Sequence, residues 1–202
     1  MINGSYLSDA ININDLKYGC INLIKSNCGS GKSYFSIHCL AQKASNLSHV
    51  VYLTDSAAMR DSLSKEPNCK IYDVSDKVIM NGEMLNFESG KIIVMTYAKM
   101  GLLLKYYPNA FNAIEIIICD ELHRIADFIE MSRKETRRHF PGTTKKEIDY
   151  WVSVSCGAYL AATYLERMAS GLSLDNEEKV VNQKLIVGLS ATPTKAYTLF
   201  AN

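Results

Sequence analysis

Residues 26–33 carry the first pattern that could do chemistry, S-N-C-G-S-G-K-S, between an apolar run and a segment of helical character. Glycines let a backbone fold closely around an anion, and N–H groups at a helix N-terminus attract phosphates. In such a loop Lys32 would reach the β and γ phosphates, and the Ser33 hydroxyl would coordinate Mg²⁺. The pattern departs from G-x-x-x-x-G-K-[ST] only at Ser26. It predicts that ATP is bound by Asn27, Cys28, Gly29, Ser30, Gly31, Lys32 and Ser33.

The second pattern is an apolar run that ends in two carboxylates, I-I-I-C-D-E-L-H at residues 116–123. Beside a phosphate-binding loop, the first acid, Asp120, would hold the Mg²⁺ shell. The second, Glu121, would orient and deprotonate the attacking water. Two adjacent acids can also cap the helix that follows, because negative charge is favoured at a helix N-terminus. The two interpretations are compatible.

The third pattern is L-I-V-G-L-S-A-T-P at residues 185–193, again an apolar run that ends in hydroxyl side chains. Hydroxyl residues before a proline are common turn formers, so this segment alone is equally well explained as a turn. Its position after the other two patterns is what favours a functional interpretation of Ser190 and Thr192.

The elements that position these patterns are short apolar runs alternating with helical segments, which is typical of an α/β fold with a mostly parallel sheet. The runs are rich in Ile, Val and Leu, as strands buried on both faces should be. Strands are predicted at 20–25, 50–54, 91–96, 113–119 and 184–189, with a possible extra strand at 69–74. Helices are predicted at 32–44, 56–64 and 97–106. A helical insertion at about 124–182 would precede the last strand.

Composition limits the possible partners and the cellular setting. The 202 residues are 48% hydrophobic and carry a formal net charge of +1, which predicts one domain over 1–202 and no bulk attraction to nucleic acid. Six cysteines lie scattered without a C-x-x-C pair, which argues against a zinc site and a disulfide scaffold. Neither a signal peptide nor a membrane-spanning run is present, so we expect a cytoplasmic protein without membrane contact.

The three patterns, in this order and each at the end of a predicted strand, resemble motifs I, II and III of superfamily 2 helicases of the DExH type. The resemblance implies a RecA-like P-loop fold, the first motor domain of such an enzyme. By resemblance, Lys32 and Glu121 are catalytic, Ser33 and Asp120 hold Mg²⁺, and a further set couples nucleotide state to nucleic-acid contact. That coupling set is His123, Ser190 and Thr192. Thr54 and Thr96 occupy loosely matching positions that face nucleic acid in the family, although both could be ordinary strand-end threonines.

The resemblance implies DNA or RNA as a partner and a second motor lobe, which this sequence lacks and which would be supplied in cis or in trans. That lobe provides arginines to the γ-phosphate in the family. Two other functions stay open at this stage. One is a non-motor, nucleotide-binding regulatory or inhibitory module that engages a protein partner. The other is a different P-loop enzyme, such as a small-molecule kinase or a viral packaging ATPase.

Overall fold

A computed structural model describes residues 6–80, 90–135, 144–172 and 183–200 of the chain. Six parallel strands form one sheet in the order β1-β6-β5-β2-β4-β3. The strands are β1 (Ile21–Lys25), β2 (Val50–Thr54), β3 (Cys69–Ile71), β4 (Ile92–Thr96), β5 (Ile116–Asp120) and β6 (Leu185–Ser190). The predicted α/β class with a parallel sheet is therefore confirmed.

Helices cover both faces of this sheet. They are α1 (Leu7–Ala10), α2 (Lys32–Tyr34), α3 (Ala57–Leu63), α4 (Asp76–Met80), α5 (Tyr97–Tyr106), α6 (Arg124–Glu135), α7 (Lys145–Ala169) and α8 (Pro193–Phe200). Helix α2 continues without a break through a π-helical stretch, Phe35–Leu40, and a 3₁₀ turn, Ala41–Lys43. Among the described residues, no helix has the length and apolar character needed to cross a membrane.

Alternation along the strands divides the core into two layers, because successive side chains of a strand point to opposite faces. One layer packs Val50, Tyr52 and Ile118 against the α2 segment, where Phe35 and Leu40 are fully buried. The other layer packs the alternate strand residues against α5, α6, α7 and α8. Strands buried on both faces read as continuous apolar runs, which is why the sequence predicts them well.

The structure shifts several predicted boundaries. Strand β5 begins at Ile116 instead of residue 113, because the backbone at Ile114 still closes a turn onto Phe111. It runs on to Asp120, one residue further than predicted, and β6 likewise runs on to Ser190. The possible strand at 69–74 is only three residues long, and α4 was not predicted.

The predicted insertion at 124–182 contains α6 and α7, whereas residues 136–143 and 173–182 of that range lie outside the described residues. Helix α7 packs along α5 and contributes Ala161 and Leu165 to the same core layer as strands β5 and β6. Helices α6 and α7 thus form part of the layer that covers one face of the sheet.

Candidate functional site

The carboxyl ends of β1, β6 and β5 lie side by side and bring the three sequence patterns together. The register pairs Lys25 with Ser190 and Asp120 with Leu189, so the residues that follow each strand leave the sheet at one level. The Ser26 N–H donates to the Ser190 carbonyl at 2.9 Å, which joins the first and third patterns directly. In parallel α/β sheets this edge is where ligands bind.

The loop after β1 folds as the glycine spacing predicts. Gly29 and Gly31 have φ angles of +76° and +78°, a left-handed backbone that other residues rarely adopt. The Ser30 hydroxyl donates to the Asn27 carbonyl at 2.8 Å and closes the turn between them. Gly31 is the N-cap of α2, so the loop opens directly into a helix N-terminus, as an anion-binding loop requires.

Lys32 and Glu121 form an ion pair although 89 positions separate them in the chain. Glu121 is the one non-glycine residue with positive φ (+46°) among the described ranges 6–80, 90–135, 144–172 and 183–200. Such a backbone is strained for a residue with a side chain, and strain of this kind clusters at functional sites. The backbone therefore turns sharply after β5 and places the Glu121 carboxylate against the phosphate loop's lysine.

Asp120 is the last residue of β5 and is buried, with 3% of its surface exposed. Burial raises its pKa to about 6, the Lys32 ammonium lowers the pKa, and the Glu121 carboxylate raises it. Its Oδ1 atom is buried without a hydrogen-bond partner among the described residues. A buried, unpartnered carboxylate oxygen is costly, and a cation would satisfy it.

The oxygen donors present suit Mg²⁺. Magnesium at nucleotide sites uses one or two protein oxygens together with phosphates and water. Asp120 and Ser33 supply such oxygens, and both lie beside the phenol of Tyr52. The part of the chain that the structure describes holds no cluster of three or more His, Cys, Asp or Glu side chains able to bind a metal. Two oxygen donors beside a loop suited to phosphates are the kind of protein ligands that a nucleotide-borne Mg²⁺ uses.

Two tyrosines that the sequence patterns did not single out surround Asp120. Tyr97, at the start of α5, is buried and donates its hydroxyl to the Asp120 carbonyl at 2.7 Å. Tyr52, in the middle of β2, is fully buried, and burial followed by the Asp120 carboxylate raises its pKa well above the ordinary value. The sequence did contain a signal for them, a tyrosine within or directly after an apolar run. A buried tyrosine hydroxyl usually needs a hydrogen-bond partner, so such a residue indicates polar neighbours.

His123 connects the second and third patterns. Its Nδ1 atom lies 2.8 Å from the Ser190 Oγ and 3.3 Å from Glu121 Oε2. The Ser190 Oγ also accepts the Thr192 N–H at 3.0 Å. The predicted coupling residues thus form one chain of contacts from Glu121 to the start of α8.

Thr54 and Thr96 lie away from this cluster, at the ends of β2 and β4, where they pair in register. Thr54 is fully buried, and its hydroxyl donates to the Ser56 carbonyl at 3.0 Å. Thr96 is the N-cap of α5 and accepts the Lys99 N–H at 3.3 Å. This geometry favours the structural interpretation of Thr54, whereas Thr96 also lines a cavity of about 420 Å³ at the same edge of the sheet.

Comparison with known proteins is consistent with this geometry. The chain matches the family described as "Type III restriction enzyme, res subunit" over residues 12–195, which includes all three patterns. A search of curated proteins gave no match. The family is one of helicase-like, RecA-type ATPase domains. The matched range spans most of the chain and carries the phosphate loop, both acids and the Ser190 strand. The chain therefore belongs to the type III restriction enzyme res-subunit family and is a helicase-like, ATP-binding motor domain.

Proposed function

We propose that the chain binds ATP with Mg²⁺ and hydrolyses it as the first motor lobe of a DExH-type helicase or translocase acting on DNA or RNA. The observation that carries this proposal is the convergence of Lys32, Glu121, His123 and Ser190 in one contact network at the carboxyl edge of the sheet. No single pattern predicts those contacts. Membership of the helicase-like family supports the same chemistry.

In the proposed reaction, each residue of the network has one task. The glycine loop and Lys32 bind the β and γ phosphates, because backbone N–H groups and an ammonium compensate their charge. Mg²⁺, held by Ser33 and Asp120 with the phosphates, would stabilise charge on the transferred group. Glu121 accepts a proton from the attacking water. His123 contacts both Glu121 and Ser190, so a movement of the Glu121 carboxylate would be transmitted to Ser190 and to α8.

The ion pair between Lys32 and Glu121 must open for this reaction to occur. The ammonium of Lys32 neutralises the carboxylate that we propose as the base. Phosphates attract the same ammonium, so nucleotide binding would release Glu121 toward water.

Nucleic acid would lie along the carboxyl ends of β2 and β4, at the cavity that Thr96 lines. Three basic side chains border it, and each is paired with an acid. Arg60 contacts Asp73 at 3.0 Å. Lys99 contacts Asp76, and Arg124 lies 3.5 Å from Asp55. Phosphates would have to displace these carboxylates, so we propose binding that is modest and strongly dependent on salt.

The first prediction compares two substitutions at the ion pair. Lys32→Ala is expected to lose ATP binding, because the β and γ charges then lack their ammonium. Glu121→Gln is expected to bind ATP at least as tightly as the parent, since Lys32 is freed from its partner, and to lose hydrolysis. Calorimetric titration and single-turnover phosphate release measure the two effects.

Cys156→Ala, an exposed position on α7, is the control and is expected to match the parent in both assays. Unchanged nucleotide affinity of the Lys32→Ala protein would contradict the phosphate-loop assignment. Hydrolysis by the Glu121→Gln protein at the parent's rate would contradict the general-base role.

A further inference from the structure

Tyr52 is a buried phenol in a central strand, and the other buried members of its core layer are apolar side chains. It lies in the middle of β2, paired in register with Ile118 of β5 and Val94 of β4. Asp120 follows Ile118 by two positions, roughly 6.6 Å further along β5 and on the same face of the sheet. Side chains in strands lean along the strand direction, which carries the Tyr52 hydroxyl toward the level of Asp120.

The hydroxyl faces the two residues that we propose as Mg²⁺ ligands. It lies next to the Ser33 hydroxyl and the Asp120 carboxylate. Yet, within the described part of the chain, neither the Tyr52 hydroxyl nor Asp120 Oδ1 has a hydrogen-bond partner. Two complementary polar atoms are therefore buried close enough for each to shift the pKa of the other's group, but their alignment is not that of an ordinary hydrogen bond.

A phenylalanine would fill this position without that cost. A buried hydroxyl without a partner costs free energy, whereas removing it and keeping the ring is close to neutral or stabilising. Tyr107 shows the ordinary case, because its hydroxyl donates to the Ile79 carbonyl at 2.8 Å. Packing therefore does not explain why residue 52 carries a hydroxyl. The neighbouring Asp120 and Ser33 side chains do explain it.

We propose that Tyr52 is a positioning residue of the metal site: in the nucleotide-bound protein its hydroxyl donates to Asp120 Oδ1 and holds the carboxylate toward the cation. This inference rests on the proposed function. Partners of this kind, behind the ligands of a metal, fix ligand orientation, and their loss typically weakens metal affinity about 10–100-fold. Tyr97, bonded to the Asp120 carbonyl, fixes the backbone of the same residue from the opposite side.

The test is Tyr52→Phe in the 202-residue chain, with Tyr107→Phe as the matched control that removes a partnered hydroxyl far from the site. Three quantities are measured: the melting temperature without nucleotide, the affinity for a non-hydrolysable ATP analogue in EDTA, and the affinity of that complex for Mn²⁺ by electron paramagnetic resonance. Tyr52→Phe is expected to melt no lower than the parent, to bind the analogue normally in EDTA, and to bind Mn²⁺ about tenfold more weakly.

Tyr107→Phe is expected to show the reverse, a lower melting temperature with Mn²⁺ affinity unchanged. Mn²⁺ affinity of the Tyr52→Phe complex within twofold of the parent overturns the inference and leaves the proposed function intact. A lower melting temperature together with weaker analogue binding in EDTA overturns it as well, because the hydroxyl is then structural. If the parent chain binds neither the analogue nor Mn²⁺, both the inference and the proposed function are overturned.

Discussion

At the scale of single residues, two buried charges show how differently the fold uses desolvation. Asp120 is buried at the carboxyl edge of the sheet, where its unpartnered oxygen suits a cation. Lys184 is buried at the opposite edge, just before β6, and its ammonium donates to the Ile114 carbonyl at 2.6 Å. Burial lowers the pKa of Lys184 to about 8, and Glu115 nearby raises it. Asp120 thus belongs to the candidate site, whereas Lys184 only links the segments that lead into β5 and β6.

Lys184 makes stability depend on pH in a direction that can be measured. Its folded pKa of about 8 lies below its ordinary value, so the unfolded chain binds more protons between about pH 8 and 10.5. Folding stability therefore rises with pH across that window. From pH 7.5 to 9.5 we expect the free energy of unfolding of the parent to rise by about 2 kcal/mol. The Lys184→Met variant is expected to lack this rise, whatever its stability at pH 7.5.

Urea unfolding at several pH values measures this difference. Because every other side chain is the same in the two proteins, the difference between the two curves isolates Lys184. Parallel curves for the parent and the variant would show that the buried amine does not titrate in this window.

At the scale of elements, the crossing of α5 and α7 determines how the second core layer closes. Gly101 of α5 faces Gly157 of α7, and Ala98 and Ala161 border the contact. A Cβ on Gly101 would lie 1.9 Å from the Gly157 carbonyl oxygen. The backbones thus approach closely, which sets the distance of α7 from the sheet and so the position of Tyr97 at the first turn of α5.

Gly101→Ala is expected to destabilise the protein by about 1–3 kcal/mol, although alanine normally favours a helix. The clash is with backbone, which cannot rotate away, so the two helices must separate. Cys156→Ala, next to Gly157 but exposed, is expected to leave the unfolding midpoint unchanged. Chemical denaturation measures both, and a Gly101→Ala protein more stable than the parent would contradict the close crossing.

At the scale of the whole molecule, the described residues place the phosphate loop and the proposed metal ligands and base on one edge of one sheet. The net charge of +1 offers little general attraction to nucleic acid, so contact must be local. Arg60 and Arg124 are paired with Asp73 and Asp55. We propose that a γ-phosphate arginine comes from a second motor lobe, in cis or in trans.

The 202-residue chain alone is accordingly expected to bind ATP but to hydrolyse it slowly. An arginine that stabilises the transferred phosphoryl group is worth about 10³–10⁵ in rate, so a second lobe should raise turnover by factors of that order. Steady-state phosphate release, with and without single-stranded and duplex DNA and RNA, measures the effect. Fast, nucleic-acid-stimulated turnover by the monomeric chain alone would contradict the need for another lobe.

The sequence alone determined the fold class and located the polar residues at the strand ends. Strands buried on both faces must be apolar runs, so β2, β4, β5 and β6 could be located within a few residues. Glycines with left-handed backbone, a lysine and a serine in a fixed spacing also need no tertiary information, because their tasks are local. Boundaries were less certain, since Asp120 and Ser190 are polar residues that the strands nonetheless include.

Only the tertiary structure decided which of these residues meet. The strand order places β6 between β1 and β5, and this order joins Ser190 to Ser26 on one side and brings it to His123 on the other. Sequence separation carries no information about such contacts. The roles of Tyr52 and Tyr97 likewise depend on where a hydroxyl points inside a packed layer, and residue type alone cannot determine that direction.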